Sequence, residues 1–273
     1  MAQKLPNPTD KLDEQPARLV ALSQGVNAVV TGDISRRGAK YNVSAMAIDA
    51  ASGNVIAKSE VTVANKEEVL PAIPKLAAPI RNAMGDTTTE SAQLERAGGA
   101  FTASSLEVVH QYGTAMEQQD SGKVEEALRS FAKTTELDPN FARAYAGMTS
   151  AALTLDQLQD AEKYIKLAME HVDRMTDRER YRVRGFYYLT TGNWQKCTEE
   201  YNELLSHYPG DNIAHNNLAV CFGQLRKLPE AIQEARKDAV TNPNASAAAN
   251  LTLLLSYNGD FQSGQDEARP IPR

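Results

Sequence analysis

Few side chains in this sequence are spaced for chemistry. Four histidines are scattered so that none lies within one helical turn of a cysteine or another histidine: His110, His171, His207 and His215. A zinc or iron site needs several such ligands at short spacings, so the pattern argues against a bound metal. The sequence also lacks a glycine-rich phosphate loop, a zinc-protease helix and a serine-nucleophile turn. We therefore expect no metal, no cofactor and no catalytic residue.

Carboxylate pairs are the next candidates, because two neighbouring acids can act as general acid and base. Glu125–Glu126 and Glu199–Glu200 are such pairs. Both fall where helices are predicted to begin, and the helix macrodipole favours anions at that end. We interpret them as solvated helix ends and not as catalytic dyads.

A run of arginines is the strongest charge feature. Helical spacing puts Arg178 and Arg182 on one face and Arg180 and Arg184 on another. One interpretation is a solvated face paired with Asp173, Asp177 and Glu179. The other is a cationic surface that binds a partner, and the choice depends on which face the fold leaves open.

Composition narrows the class of protein. The chain has 273 residues, with 29 Lys+Arg against 35 Asp+Glu and a net charge of −6, which argues against a generic binder of nucleic acid or anionic membranes. No apolar run reaches the ~20 residues that cross a bilayer, and the N-terminus lacks a signal-peptide core. We expect a cytoplasmic protein, or one outside the cytoplasm if the chain is a piece that follows a membrane span.

The chain changes character near residue 100. Val- and Ala-rich alternating stretches come before this point, and long helical periods with acidic surfaces come after it. The polar stretch from Gly85 to Ser91 reads as a linker. We predict a small α+β domain over residues 1–85, a linker over 86–104 and a helical repeat domain over 105–273.

The first domain should hold an antiparallel three-stranded meander. Ala28–Ser35, Tyr41–Asp49 and Asn54–Val63 are β-rich runs separated by short turns with glycine. In the third run Val55, Ala57, Val61 and Val63 share one face. A helix within Lys66–Met84 should cover the sheet, although its prolines could delay its start or kink it.

The second half repeats with a period of 34 to 36 residues. Small residues recur at Ala127, Ala161, Cys197 and Ala231, each followed four residues later by Phe131, Ile165, Tyr201 or Ala235. The third unit has the fullest pattern: Tyr181, Gly185, Tyr188, Gly192, Trp194, Tyr201 and Pro209. This pattern resembles the tetratricopeptide repeat. The resemblance implies a mostly α-helical superhelix of about 4.5 repeats, each a pair of antiparallel helices A and B.

Two cysteines occupy repeat positions that should lie close together. Cys197 takes the small-residue position of helix B in the third repeat, and Cys221 lies in helix A of the fourth. We interpret them as two small core residues, with a redox pair as the alternative. A fifth repeat starts near Ser246, and its second helix should be missing. Leu251, Leu254 and Leu255 would then be uncovered, which favours a homo-oligomer.

A second resemblance spans about residues 20–260. The meander VTGDISRRGAKYNVSAMAIDAASGNVIAKSE, a helix and then SSLEVVHQYGTAMEQ are similar to the non-catalytic C-terminal region of acidobacterial-type serine/threonine protein kinases. Kinase motifs themselves are absent from the sequence. The resemblance implies a regulatory or sensor segment of a kinase whose catalytic domain lies outside this chain.

The repeat resemblance also implies a binding surface. In tetratricopeptide-repeat proteins, fixed positions of the A helices line a concave groove that binds extended peptides. Carried onto this sequence, the groove residues that we select are Arg143, Arg182, Phe186, Leu189, Asn216, Asn217 and Val220. They suit a peptide with an acidic or carbonyl anchor and an apolar side chain. Our leading prediction is a non-enzymatic module that binds a protein or peptide.

Overall fold

The computed structural model describes residues 13–23, 26–86, 103–241 and 245–268. The chain forms two compact units that divide between Phe101 and Thr102. Each unit is described by itself. Most of the predicted linker, residues 86–104, lies outside the described residues.

The N-terminal unit is a three-stranded antiparallel sheet with two described helices. The strands follow one another in the order β1-β2-β3, as the predicted meander requires. The elements in chain order are α1 (Glu14–Ser23), β1 (Ala28–Arg37), β2 (Lys40–Asp49), β3 (Val55–Val63) and α2 (Val69–Ala83). Helix α1 was not predicted from the sequence.

Alternation of apolar and polar residues gives the sheet one apolar face, which is buried along β2 but more than half exposed at Val30 and Ile34 of β1. Val43 and Ala47 of β2 are buried, and so is Val63 of β3. The opposite face carries polar cross-strand contacts, in which the Asn42 amide donates to Glu60 at 2.6 Å. The prediction is wrong for Val55, which is more than half exposed, because the ladder shifts register between Ala47 and Ile48 beside it.

Helix α2 covers part of this sheet despite its prolines. It begins at Val69 and buries Leu76 and Ile80, and Pro74 and Pro79 lie within it. The predicted helix within residues 66–84 is therefore confirmed. A third proline, Pro71, falls in the first turn of this helix, where the missing N–H would have no helical acceptor.

The C-terminal unit consists, in its described part, of ten α-helices arranged as five A–B pairs. The pairs are α3–α4, α5–α6, α7–α8, α9–α10 and α11–α12, called repeats 1 to 5 below. Their bounds are Leu106–Asp120, Val124–Leu137, Ala142–Thr154, Leu158–Glu170, Asp177–Thr190, Trp194–His207, Asn212–Gln224, Leu228–Thr241, Ala245–Tyr257 and Phe261–Ala268.

The small and large repeat positions form the contacts between the helices of a pair. All four small residues, Ala127, Ala161, Cys197 and Ala231, have no exposed surface. The large residues that follow them are buried too, and the Tyr201 ring packs against Gly185 of α7 so closely that a Cβ there would lie 2.6 Å from a ring carbon. The spacing in the sequence thus identified the core of repeats 1 to 4.

A 3-10 turn joins repeat 2 to repeat 3. Helix α6 ends at Glu170, and the turn covers Val172–Arg174. Thr176 then caps α7, because its side chain accepts from the Glu179 amide while the Glu179 carboxylate accepts from the Thr176 amide.

Repeat 5 is more complete than expected. A second helix, α12, packs against α11, and Leu251, Leu254 and Leu255 are buried in a cluster with Ala219, Ala231 and Ala235 of repeat 4. The expectation of an uncovered leucine face is therefore wrong. The prediction of a homo-oligomer depended on that uncovered face, so the physical argument for it no longer holds.

Candidate functional site

The A helices of the five repeats form the surface on which binding residues were predicted. We call this surface, formed by α3, α5, α7, α9 and α11, the A-helix face. The resemblance to the tetratricopeptide repeat implies that this face is the concave side of a superhelix. The seven predicted groove residues lie on α5, α7 and α9.

Two arginines of the run are engaged by a buried aspartate in the next repeat. Asp211 has no exposed side-chain surface and accepts from Arg178 Nε at 2.7 Å and from Arg182 Nη2 at 2.6 Å. It also caps α9 by accepting from the Ala214 amide at 3.0 Å. Burial alone would raise the pKa of Asp211, but the guanidinium groups and this amide hold it below its usual value. Arg182 therefore ties repeat 3 to repeat 4 and is not a free cation of the groove.

The other charged groove residue is also paired. Arg143 Nη1 lies 3.5 Å from Glu179 Oε1, and its guanidinium lies over the Tyr112 ring at 5.2 Å from the centroid. Arg180 pairs with Asp177, and both residues lie on α7. Arg178, Arg180 and Arg182 are therefore paired with acidic residues, as the first of our two interpretations of the arginine run proposed. Their partner Asp211 was not indicated by the sequence.

The predicted asparagines form a chain of side-chain hydrogen bonds across three repeats. Asn250 Nδ2 donates to Asn216 Oδ1 at 2.8 Å, and Asn216 Nδ2 donates to Asn217 Oδ1 at 3.0 Å. Asn217 Nδ2 in turn donates to the Tyr201 hydroxyl at 2.7 Å. Burial raises the pKa of Tyr201, so this hydroxyl stays protonated. The asparagines therefore set the spacing of the A helices as well as facing the surface.

Phe186 and Leu189 contribute to packing. Phe186 lies against the core cluster of repeats 2 and 3 that includes Ala142 and Ile165, and Leu189 packs against the Cys197–Tyr201 cluster. Both side chains are only partly exposed. They offer less apolar surface to a partner than their sequence positions suggested.

A cleft between α9 and α11 lies on the A-helix face, with apolar and polar side chains in its lining. Its volume is about 370 Å³, and the predicted groove residue Val220 lines it together with Asn250, Leu253, Leu254 and Tyr257. Leu253 is 51% exposed and Tyr257 is 64% exposed. The groove residues selected from the sequence end at repeat 4, so the part of this cleft on α11 was missed, although the i, i+4 pair Leu253–Tyr257 was a visible signal.

The cysteines are joined by a disulfide. Cys197 of α8 and Cys221 of α9 are both fully buried, and their Cα atoms are 6.2 Å apart. Both are core residues, as predicted, but they form a bonded pair, which agrees with the alternative of a redox pair. The bond links repeat 3 covalently to repeat 4.

The remaining candidates for chemistry are structural. His215 is buried, with Nδ1 2.6 Å from Glu234 Oε2, and its Nε2 lies 2.9 Å from the Pro209 carbonyl oxygen, which can only accept. Glu125 and Glu126 lie in the first turn of α4 as expected, but Glu199 and Glu200 lie further along α8. Within the described ranges, no three His, Cys, Asp or Glu side chains are grouped to hold a metal ion. No described helix is both long and apolar enough to span a membrane.

The paired helices, their buried small and large positions and the open A-helix face define a helical repeat protein. The family model of the tetratricopeptide repeat matches residues 184–249, and the C-terminal unit has this fold. The chain is 30% identical over 92 residues to Hsp70-Hsp90 organizing protein 3 of Arabidopsis thaliana. That match covers 33% of this chain and only 16% of the plant protein.

Solved structures of tetratricopeptide-repeat proteins are also similar. TTC0263 of Thermus thermophilus is 13% identical with a TM-score of 0.49, covering 59% of this chain and 87% of that one. YrrB, described as having an unusual peptide-binding site, is 17% identical with a TM-score of 0.35, covering 57% and 80%. The TPR2AB domain of yeast Sti1, in complex with pHSP90, is 16% identical with a TM-score of 0.32, covering 74% and 86%.

Proposed function

We propose that this chain is a non-enzymatic interaction module that binds an extended segment of a partner protein on its A-helix face. Tetratricopeptide-repeat proteins mediate protein–protein interaction. The observation that carries the proposal is the cleft between α9 and α11, because its exposed Leu253 and Tyr257 are large apolar side chains that no described element covers. The predicted resemblance to kinase C-terminal regions stays a prediction from the sequence.

The cleft combines the two features that an extended peptide needs. Val220, Leu253 and Leu254 give an apolar wall for a side chain. The amide groups of Gln224 and Asn250 lie in the same cleft and can bond to a peptide backbone. Binding of this kind fills a preformed surface, so we expect little movement of the helices.

The proposal is tested by selecting a random peptide library on the immobilised chain and measuring the affinities of the recovered peptides. The double variant Leu253→Ala/Tyr257→Ala should weaken their binding about 10-fold or more, because it removes the exposed apolar walls. The matched control is Leu158→Ala/Val240→Ala, which removes apolar side chains that are 62% and 81% exposed on the B helices α6 and α10. Equal losses in the two double variants, or no enriched peptide, would refute the proposal.

A further inference from the structure

Arg226 stands at a backbone position that favours glycine. In each of the five repeats, the second residue after helix A has a positive φ: Gly122, Asp156, Gly192, Arg226 and Gly259. Glycine adopts this left-handed conformation without a steric penalty, whereas a residue with a Cβ does not. Three repeats use glycine here and repeat 4 carries an arginine with φ 60. The requirements of the turn do not explain the choice of arginine.

Arg226 is one of the residues that line the cleft between α9 and α11. It is the one charged residue among the ten that line this cleft, and none of the ten is acidic. The described residues give its guanidinium no carboxylate partner, in contrast to Arg143, Arg178 and Arg182. Those three arginines, which the sequence analysis singled out, are thus paired with carboxylates. Arg226 has no such partner among the described residues and lies in the same cleft as Leu253 and Tyr257.

We propose that Arg226 anchors an anionic group of the partner, so that the cleft recognises a carboxylate next to a bulky apolar side chain. The apolar side chain would pack against Val220, Leu253 and Leu254, and the carboxylate would accept hydrogen bonds from the guanidinium. This inference rests on the proposed function and adds the chemistry of the partner.

The first experiment selects the same random peptide library on three forms of the chain. The wild type and the control Lys227→Gln should enrich peptides with Asp or Glu beside a large apolar residue. Arg226→Gln should lose the acidic preference and keep the apolar one. Lys227 is a fair control because it carries the same charge one residue away, outside the cleft and over the Phe222 ring at 5.9 Å.

The outcomes separate this inference from the proposed function. Peptides that depend on Leu253 and Tyr257 but show no acidic preference would overturn the role of Arg226 and leave the binding surface intact. An acidic preference that survives in Arg226→Gln would overturn it as well. If no peptide depends on Leu253 and Tyr257, the proposed function itself fails.

A second variant excludes a merely structural role. Arg226→Gly should raise Tm by about 2 °C, because glycine relieves the left-handed backbone. It should also weaken the binding of a selected acidic peptide about 10-fold, since a charge-assisted hydrogen bond is lost. A lower Tm, or unchanged affinity in the stabilised variant, would contradict the inference.

Discussion

Asn250 donates a hydrogen bond to Asn216 at 2.8 Å across 34 residues of sequence. This separation is one repeat period, so the two asparagines occupy the same position of helix A in repeats 4 and 5. Their side-chain amides join α9 to α11. Asn250→Ala should remove the donor and leave the Asn216 oxygen partly buried, at a cost of about 1–2 kcal/mol.

The loss should be local to the end of the solenoid, because each repeat contacts only its neighbours. Hydrogen exchange should therefore become faster in α11 and α12 and stay unchanged in α3 and α4. Asn202→Ala, an exposed asparagine of α8, is the control. Uniformly faster exchange in all helices would contradict the local role of this pair.

Asp211 should make the solenoid sensitive to acid. Its pKa is lower in the folded chain than the unfolded value near 3.8, so its stabilisation is complete above that value and is lost as the pH falls through the lower folded pKa. Asp211→Ala removes the buried partner of two arginines and the cap of α9, and should cost at least about 3 kcal/mol at pH 7.

Urea unfolding between pH 7 and pH 2 measures both effects. The wild type should lose stability below pH 4 more steeply than Asp211→Ala, and Glu199→Gln, on the exposed side of α8, should follow the wild type. Parallel pH profiles for the wild type and Asp211→Ala would show that Asp211 contributes nothing specific.

Gly185 should not tolerate even one methyl group. A Cβ there would lie 2.6 Å from the Tyr201 ring, which is fully buried and cannot move aside without disturbing the core of repeat 3. Gly185→Ala should destabilise the chain by about 1–3 kcal/mol in thermal or urea unfolding.

Gly113→Ala is the matched control for this substitution. Gly113 lies in α3 with nothing within 4 Å of its added Cβ. It should stabilise the chain by up to about 1 kcal/mol, because alanine is the better helix former. Destabilisation of both variants to the same extent would argue against the packing explanation.

The disulfide between Cys197 and Cys221 should contribute measurably to stability. It closes a loop with a sequence separation of 24, for which chain entropy predicts about 3–4 kcal/mol. Mass spectrometry without reductant should find both cysteines bonded, and reduction should lower Tm. In Cys197→Ala/Cys221→Ala the reductant should have no effect. Two free thiols in the native chain would contradict the bond.

The repeat core could be predicted because its information is local. Ala127, Phe131 and the equivalent residues recur at a fixed period, and each pair lies one helical turn apart. The sheet was predictable for the same reason, since alternation has a short period. Val55 was the exception, because a register shift depends on the partner strand.

The site was less predictable because its contacts cross from one repeat to the next. Asp211 is 33 residues from Arg178 and 29 from Arg182, and no local pattern relates them. Leu253 and Tyr257 lie on α11, but their place in a cleft depends on how α11 packs beside α9, one repeat period away in the sequence. Arg226 was hidden by its position in a turn, where its side chain direction cannot be read from helical spacing.

Photo-crosslinking tests the central claim most directly. Benzoylphenylalanine is placed at position 257 on the A-helix face or at position 240 on helix α10, both of which are highly exposed in the native chain. A peptide selected on the wild-type chain should form a covalent adduct from position 257 and none above background from position 240. Equal adducts from both positions, or an adduct from position 240 alone, would contradict binding on the A-helix face.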